Sequence, residues 1–118
     1  MKKYDFHYDS NYDSLFIHQL DRKSSGSIDM GDIILDYDSN EEFVGIQLLN
    51  ASELISDNTG ETRIKSMLKN LTKCSIRTLD KKGIVTIVIL LESTVQKYRS
   101  IRYSLVVPDT NYRSQAIA

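Results

Sequence analysis

The apolar residues of this chain come in short runs cut by polar turns, and that punctuation limits the fold more than any other feature. The longest run covers residues 84–91 and is itself interrupted by Thr86. A membrane-spanning helix needs about 20 apolar residues, so no segment is expected to cross a bilayer as a helix. Short runs bury surface only when several of them stack, and an apolar/polar period of two marks them as strands. With 118 residues the chain can bury roughly two-thirds of its unfolded surface around one core. It reads as a single domain spanning 1–118.

A single Cys excludes an internal disulfide framework, and Cys74 fits a small buried apolar position. The start, Met1-Lys2-Lys3-Tyr4, is basic but leads into no apolar stretch of signal-peptide length, so a cytoplasmic location is expected. Asn50-Ala51-Ser52 and Asn70-Leu71-Thr72 match the glycosylation sequon, which carries no meaning without secretion.

Tyr4, Phe6 and Tyr8 alternate with Asp5 and His7, the pattern of a half-buried strand. A polar loop over 9–13 leads to a second strand over 15–18. Pairing Tyr8 with Leu15 would put Tyr4, Phe6, Tyr8, Leu15 and Ile17 on one face. Residues 28–30 and 33–37 flank a turn at Gly31-Asp32, and 43–49 follow a polar turn. The stretch 1–56 is thus expected to be a meander of about four short strands with a short helix at its end.

Asn50 and Asn58 each stand three residues before a Glu, Glu53 and Glu61, a spacing that starts helices. The first helix should be short, broken by Asp57-Asn58 and Gly60. The second should be the main one: Ile64, Met67, Leu68 and Leu71 form an amphipathic stripe, and Lys65, Lys69 and Lys73 recur at intervals of four along another face. Residues 74–79, 84–91 and a third strand ending at Pro108 then make an antiparallel sheet. Helix and sheet fill 57–107, and 108–118 is a tail. Pairing Leu79 with Ile84 sets Cys74, Ile76, Val85, Ile87 and Ile89 on the helix-covered face. The other face carries Ser75, Arg77, Thr86, Val88 and Leu90, with Arg102 from the third strand. The expected class is α+β: an antiparallel sheet of about seven short strands, in one sheet or two, and one main amphipathic helix.

Two separated segments resemble a known family. Tyr8-Asp9-Ser10-Asn11-Tyr12-Asp13-Ser14-Leu15-Phe16-Ile17 resembles the opening motif of the domain-of-unknown-function family 2283. Gly31-Asp32-Ile33-Ile34-Leu35-Asp36-Tyr37-Asp38 and Val44-Gly45-Ile46-Gln47-Leu48-Leu49-Asn50-Ala51-Ser52 resemble its later signature. The likeness covers about residues 4–56, and the chain departs from it in having no Gly in the turn at 39–42. It implies a small antiparallel sheet followed by a helix. The family has no established catalytic residues to carry over, and members that look like partners of toxins imply an antitoxin-like role. The motif's apolar positions, Leu15, Ile17, Ile33, Leu35, Ile46 and Leu49, fit a sheet core. Asp9 and Asp13 fit Asx turns, and Gly45 fits a bulge or close packing against an aromatic neighbour.

The formal charge of −1 hides a division. Residues 1–62 hold four Lys/Arg against 13 Asp/Glu, net −9, and residues 63–118 hold 11 against three, net +8. Such asymmetry points to partners. The preferred reading is a non-enzymatic protein-interaction module, homodimeric, whose interface uses Thr86, Val88, Leu90, Arg77 and Arg102. The alternative is nucleic-acid binding through Lys65, Lys69, Lys73, Arg77 and Arg102, beside Tyr98 and Arg99. The sequence pI of about 6.1 argues against it. A third reading is an acid–base site at Asp5 and His18, which the first hairpin sets opposite each other with His7 on the same face. No cofactor or metal is expected. Asp36-Tyr37-Asp38-Ser39-Asn40 starts like a calcium loop but has Glu41 and Gln47 where Gly and a bidentate Glu are needed. The five Gly are scattered, so no phosphate loop exists, and no Ser sits in a Gly-x-Ser-x-Gly elbow.

Overall fold

A computed structural model describes residues 3–94 and 99–108. The chain runs β1 (Tyr4–Asp9), β2 (Ser14–Gln19), β3 (Gly26–Asp29), β4 (Ile33–Tyr37), β5 (Phe43–Leu48), α1 (Ala51–Thr59), α2 (Ile64–Lys69), β6 (Leu71–Lys81), β7 (Ile84–Ser93) and β8 (Arg99–Pro108). The fold is α+β, and its strands are antiparallel throughout. They form a five-stranded sheet of order β1-β2-β5-β4-β3 and a three-stranded sheet of order β6-β7-β8. Residues 109–118, where the tail is expected, and Tyr98 lie outside the described residues.

The first hairpin has the register its spacing requires, with Tyr8 opposite Leu15 and Asp5 opposite His18. The strand order then departs from a simple meander, and five strands rather than about four make up this part. β5 lies between β2 and β4, which leaves β3 at an edge. Burial explains the order. Leu15 and Ile17 of β2 pair with Leu48 and Ile46 of β5, and all four are at most 1% exposed. The short β3 offers only Ile28 to the core, so it suits an edge, where one side of a strand meets water.

Gly45 in β5 packs against an aromatic neighbour, as its position in a strand suggests. A Cβ there would sit 2.8 Å from the Ile17 carbonyl oxygen and 3.0 Å from the His18 ring. A bulge interrupts the β4–β5 pairing beside it, between Asp36 and Tyr37. In the turn that lacks the family's Gly, Glu41 takes the left-handed conformation (φ 62°). Asp38 supports that turn by accepting the backbone N–H groups of Asn40 and Glu42.

The helical region differs most from expectation. α1 runs through Asp57 and Asn58 and stops at Gly60, whose N–H reaches the Ser56 carbonyl. Burial of Ala51 and Ile55 outweighs the weak helix preference of Asp and Asn. Asn58 therefore caps nothing. α2 is six residues long and is entered through a left-handed Arg63. It keeps the apolar stripe of Ile64, Met67 and Leu68, but Asn70 ends it, donating its amide to the Ser66 carbonyl. Leu71 and Lys73 already belong to β6, so the expected lysine stripe along one helix face does not form.

The β6–β7 hairpin is tighter than expected. Lys81 pairs with Ile84 across a two-residue turn in which Lys82 and Gly83 both have positive φ, the twist-matched type I′ geometry. The register is two residues away from a Leu79–Ile84 pairing. A slip of two preserves which side chains share a face, whereas a slip of one would invert them. Cys74, Ile76, Ile87 and Ile89 are accordingly buried. Together with Leu15, Ile17, Leu35, Ile46 and the helix residues they form one core cluster. The Tyr4 hydroxyl donates to the Ile76 carbonyl at 3.3 Å, tying β1 to β6 and so one sheet to the other.

Gly45→Ala is expected to destabilise the chain by about 1–3 kcal/mol through overpacking, read as a lower urea midpoint. Adding His18→Ala should recover only part of the loss, because the closest obstacle is the main-chain oxygen of Ile17.

Candidate functional site

The two halves of the sequence motif meet at Asp13. Its left-handed backbone (φ 51°) closes the β1–β2 loop and aims its carboxylate at the start of α1. The carboxylate accepts the Ser52 N–H at 3.1 Å, the Ser52 hydroxyl at 2.7 Å and the Tyr8 hydroxyl at 2.5 Å. Its carbonyl accepts the Ala51 N–H at 2.8 Å. Asp13 thus does the capping expected of Asn50. Asn50 is left-handed, makes no side-chain cap, and turns its amide to Asp32. Asp9 behaves as expected, accepting the N–H groups of Asn11 and Tyr12 in an Asx turn.

Burial acts to raise the Asp13 pKa. Hydrogen bonds from Ser52 and Tyr8, with the charge of Lys65, outweigh it and hold the carboxyl below its ordinary value. Burial and the same carboxylate push the Tyr8 phenol up. The helix start adds to the effect, since its free N–H groups favour a negative charge.

The outward face of the five-stranded sheet holds the Asp5–His18 pair, with His7 stacked on Phe16. A cavity of about 370 Å³ beside β1 is lined by Phe6, His7, Tyr8, Ser10, Leu68, Lys69 and Leu71 and takes in neither Asp5 nor His18. The calcium-like segment is otherwise engaged. Asp36 is buried and accepts from the Ser27 hydroxyl and the Gln47 amide, while Asp38 pairs with Arg22. Among the described residues no group of three or more His, Cys, Asp or Glu is placed to hold a metal ion. Cys74 is buried, and burial with the nearby Glu92 pushes its thiol up to about 12, so it stays protonated at neutral pH.

The basic residues divide between two places. Lys65 lies beside Asp13 and lines a cavity of about 300 Å³ between α1 and α2. Lys69 lines the cavity beside β1. Lys73, Arg77 and Arg102 come together on the outward face of the three-stranded sheet, where the register sets Arg77 across from Val88 and Arg102 across from Leu90. Thr86 and Leu90 on that face are half-buried, and Val88 is only 3% exposed. Three further apolar residues share the face and are open: Leu79 at 49%, Ile84 at 54% and Val106 at 63% exposure. Lys81 joins them. Sequence reasoning did not single out these four residues, although the same strand parity, continued toward the hairpin turn, places them there.

The profile of the family described as "Protein of unknown function (DUF2283)" matches residues 5–52. An uncharacterised protein of Methanocaldococcus jannaschii, MJ0789, is 33% identical over 99 residues, covering 84% of this chain and 81% of its own. The chain belongs to the DUF2283 family. The matched segment starts in β1 and ends at Ser52, so it closes on the side chain that Asp13 caps. The relative extends the likeness well past that core, into the region of the three-stranded sheet. No solved structure matches the chain.

Asp13→Ala should cost about 1–2 kcal/mol in denaturant unfolding, as for a lost helix cap. The folded chain favours the ionised carboxyl. Its contribution to stability is therefore complete above the ordinary value of 3.8 and is lost as pH falls through the lower folded value. Acid unfolding followed by circular dichroism should show a shallower decline in Asp13→Asn than in the wild type as pH falls below 3.8.

Proposed function

We propose that this DUF2283 chain is a non-enzymatic, cytoplasmic protein-interaction module that self-associates as a homodimer. The observation that carries this reading is the outward face of the three-stranded sheet. Leu79, Ile84 and Val106 lie exposed there among Arg77, Lys81 and Arg102. Exposed apolar side chains gathered on one sheet face mark an interaction surface more often than a free one. Thr86 and Leu90, half-buried, and the buried Val88 belong to the same face. An antitoxin-like role, masking a partner protein with this face, fits the family resemblance.

Nucleic-acid binding is the second reading. Lys73, Arg77 and Arg102 favour it by sharing a face. Lys65 and Lys69 lie elsewhere, which leaves three of the five expected cations together, and the exposed face carries aliphatic rather than aromatic side chains for bases to stack on.

In sedimentation velocity the wild type is expected to form dimers, and Leu79→Lys/Val106→Lys to remain monomeric with an unchanged circular dichroism spectrum. A wild type that stays monomeric at every concentration would refute the dimer. Retention on heparin at low salt, falling steeply as salt rises, would favour nucleic acid instead.

A further inference from the structure

We infer that in the dimer the outward face of the five-stranded sheet of each copy docks on the outward face of the three-stranded sheet of the other, so that the contact is made twice about a twofold axis and closes at two copies. The inference rests on the self-association proposed above and specifies which surfaces meet.

Charge selects the pairing. Strands β1–β5 contain no Lys or Arg and four Asp: Asp5, Asp9, Asp29 and Asp36. The register puts all four on the outward face, where Asp5 and Asp29 are exposed, Asp9 is half-buried and Asp36 is buried. On the three-stranded sheet the outward face carries Lys73, Arg77, Lys81 and Arg102 against Glu92. Pairing two basic faces would set cations against cations, and pairing two acidic faces would oppose the aspartates. Like charges across an interface are repelled and opposite charges favoured. Only acidic-on-basic docking brings opposite signs together.

The apolar content agrees. Phe16, 36% exposed, and the half-buried Ile34 lie on the acidic face between Asp5 and Asp29. They offer a counterpart to Leu79, Ile84 and Val106 on the basic one. Each sheet turns its other face to the shared core. The near-cancellation of −9 and +8 between the two parts of the chain matches a molecule whose own surface is the complement of its partner's.

The test uses two charge-reversed full-length variants. Arg77→Glu/Arg102→Glu alters the basic face and Asp5→Lys/Asp29→Lys the acidic one. Asp5→Lys/His7→Lys serves as a second acidic-face variant that keeps the Asp29 side chain bonded to the Gly31 N–H. Each variant alone should associate at least about tenfold more weakly than the wild type at low salt, and wild-type association should weaken as screening increases. Mixed in equal amounts, the basic-face and acidic-face variants should recover wild-type association, because the intact acidic face of one meets the intact basic face of the other. A mixture that stays monomeric, with both variants folded by circular dichroism, would overturn the inference. So would reversals that leave association unchanged. If association survives both reversals but is lost in Leu79→Lys/Val106→Lys, self-association stands and the acidic-on-basic docking falls. If the wild type is itself monomeric, both fall.

Discussion

The Asp13 carboxylate is the contact on which the N-terminal part of this fold turns. It receives a phenol from β1, a hydroxyl and a backbone N–H from the start of α1, and its own residue closes the loop between β1 and β2. A hairpin loop, the exit from β5 and the first turn of a helix are thereby held by one side chain. Ser52 lies 39 residues away in the chain, so the link acts between the first hairpin and everything that follows the five-stranded sheet. The negative charge is favoured there by the helix start and by Lys65. It gives the opening motif of the family a folding reason: Tyr8 and Asp13 are needed as a pair, and Ser52 is their target.

Around that junction the molecule separates its charges by sheet. The five-stranded sheet carries acids on its outward face and no Lys or Arg in its strands, while the three-stranded sheet carries most of its outward charge as cations. One ion-paired cluster, Arg22 with Asp38 and Glu42, lies wholly within the acidic part. Both sheets spend one face on a common core. A chain that buried its acids against its bases would hide this asymmetry. Here the asymmetry stays on the surface, which supports the proposed interaction reading over a catalytic one.

Much of this was legible in advance. The Tyr8–Leu15 register and the facing of Asp5 and His18 follow from alternation and loop length. The face assignments in β6 and β7 survive a register two residues off because parity is unchanged. The tight site at Gly45 was also visible, since a Gly within a strand needs a reason, and the Ile17 carbonyl together with the His18 ring supplies it. Less visible were the insertion of β5 beside β2 and the boundaries of the two helices. In the first, local pattern cannot say which apolar strand finds which, and buried area decides it. In the second, capping propensities of a few tenths to about 2 kcal/mol yield to the burial of Ala51 and Ile55.

By itself the sequence determined the class, the antiparallel strands, the inward-facing residues and the family, because each is written in local periodicity or in contiguous motifs. Tertiary structure alone decided that Asp13 rather than Asn50 caps α1 and that Lys73 leaves the helix for a strand. It also decided that Leu79, Ile84 and Val106 are open while Val88 on the same face is buried. These depend on contacts between residues far apart in the chain, and no spacing rule carries that information.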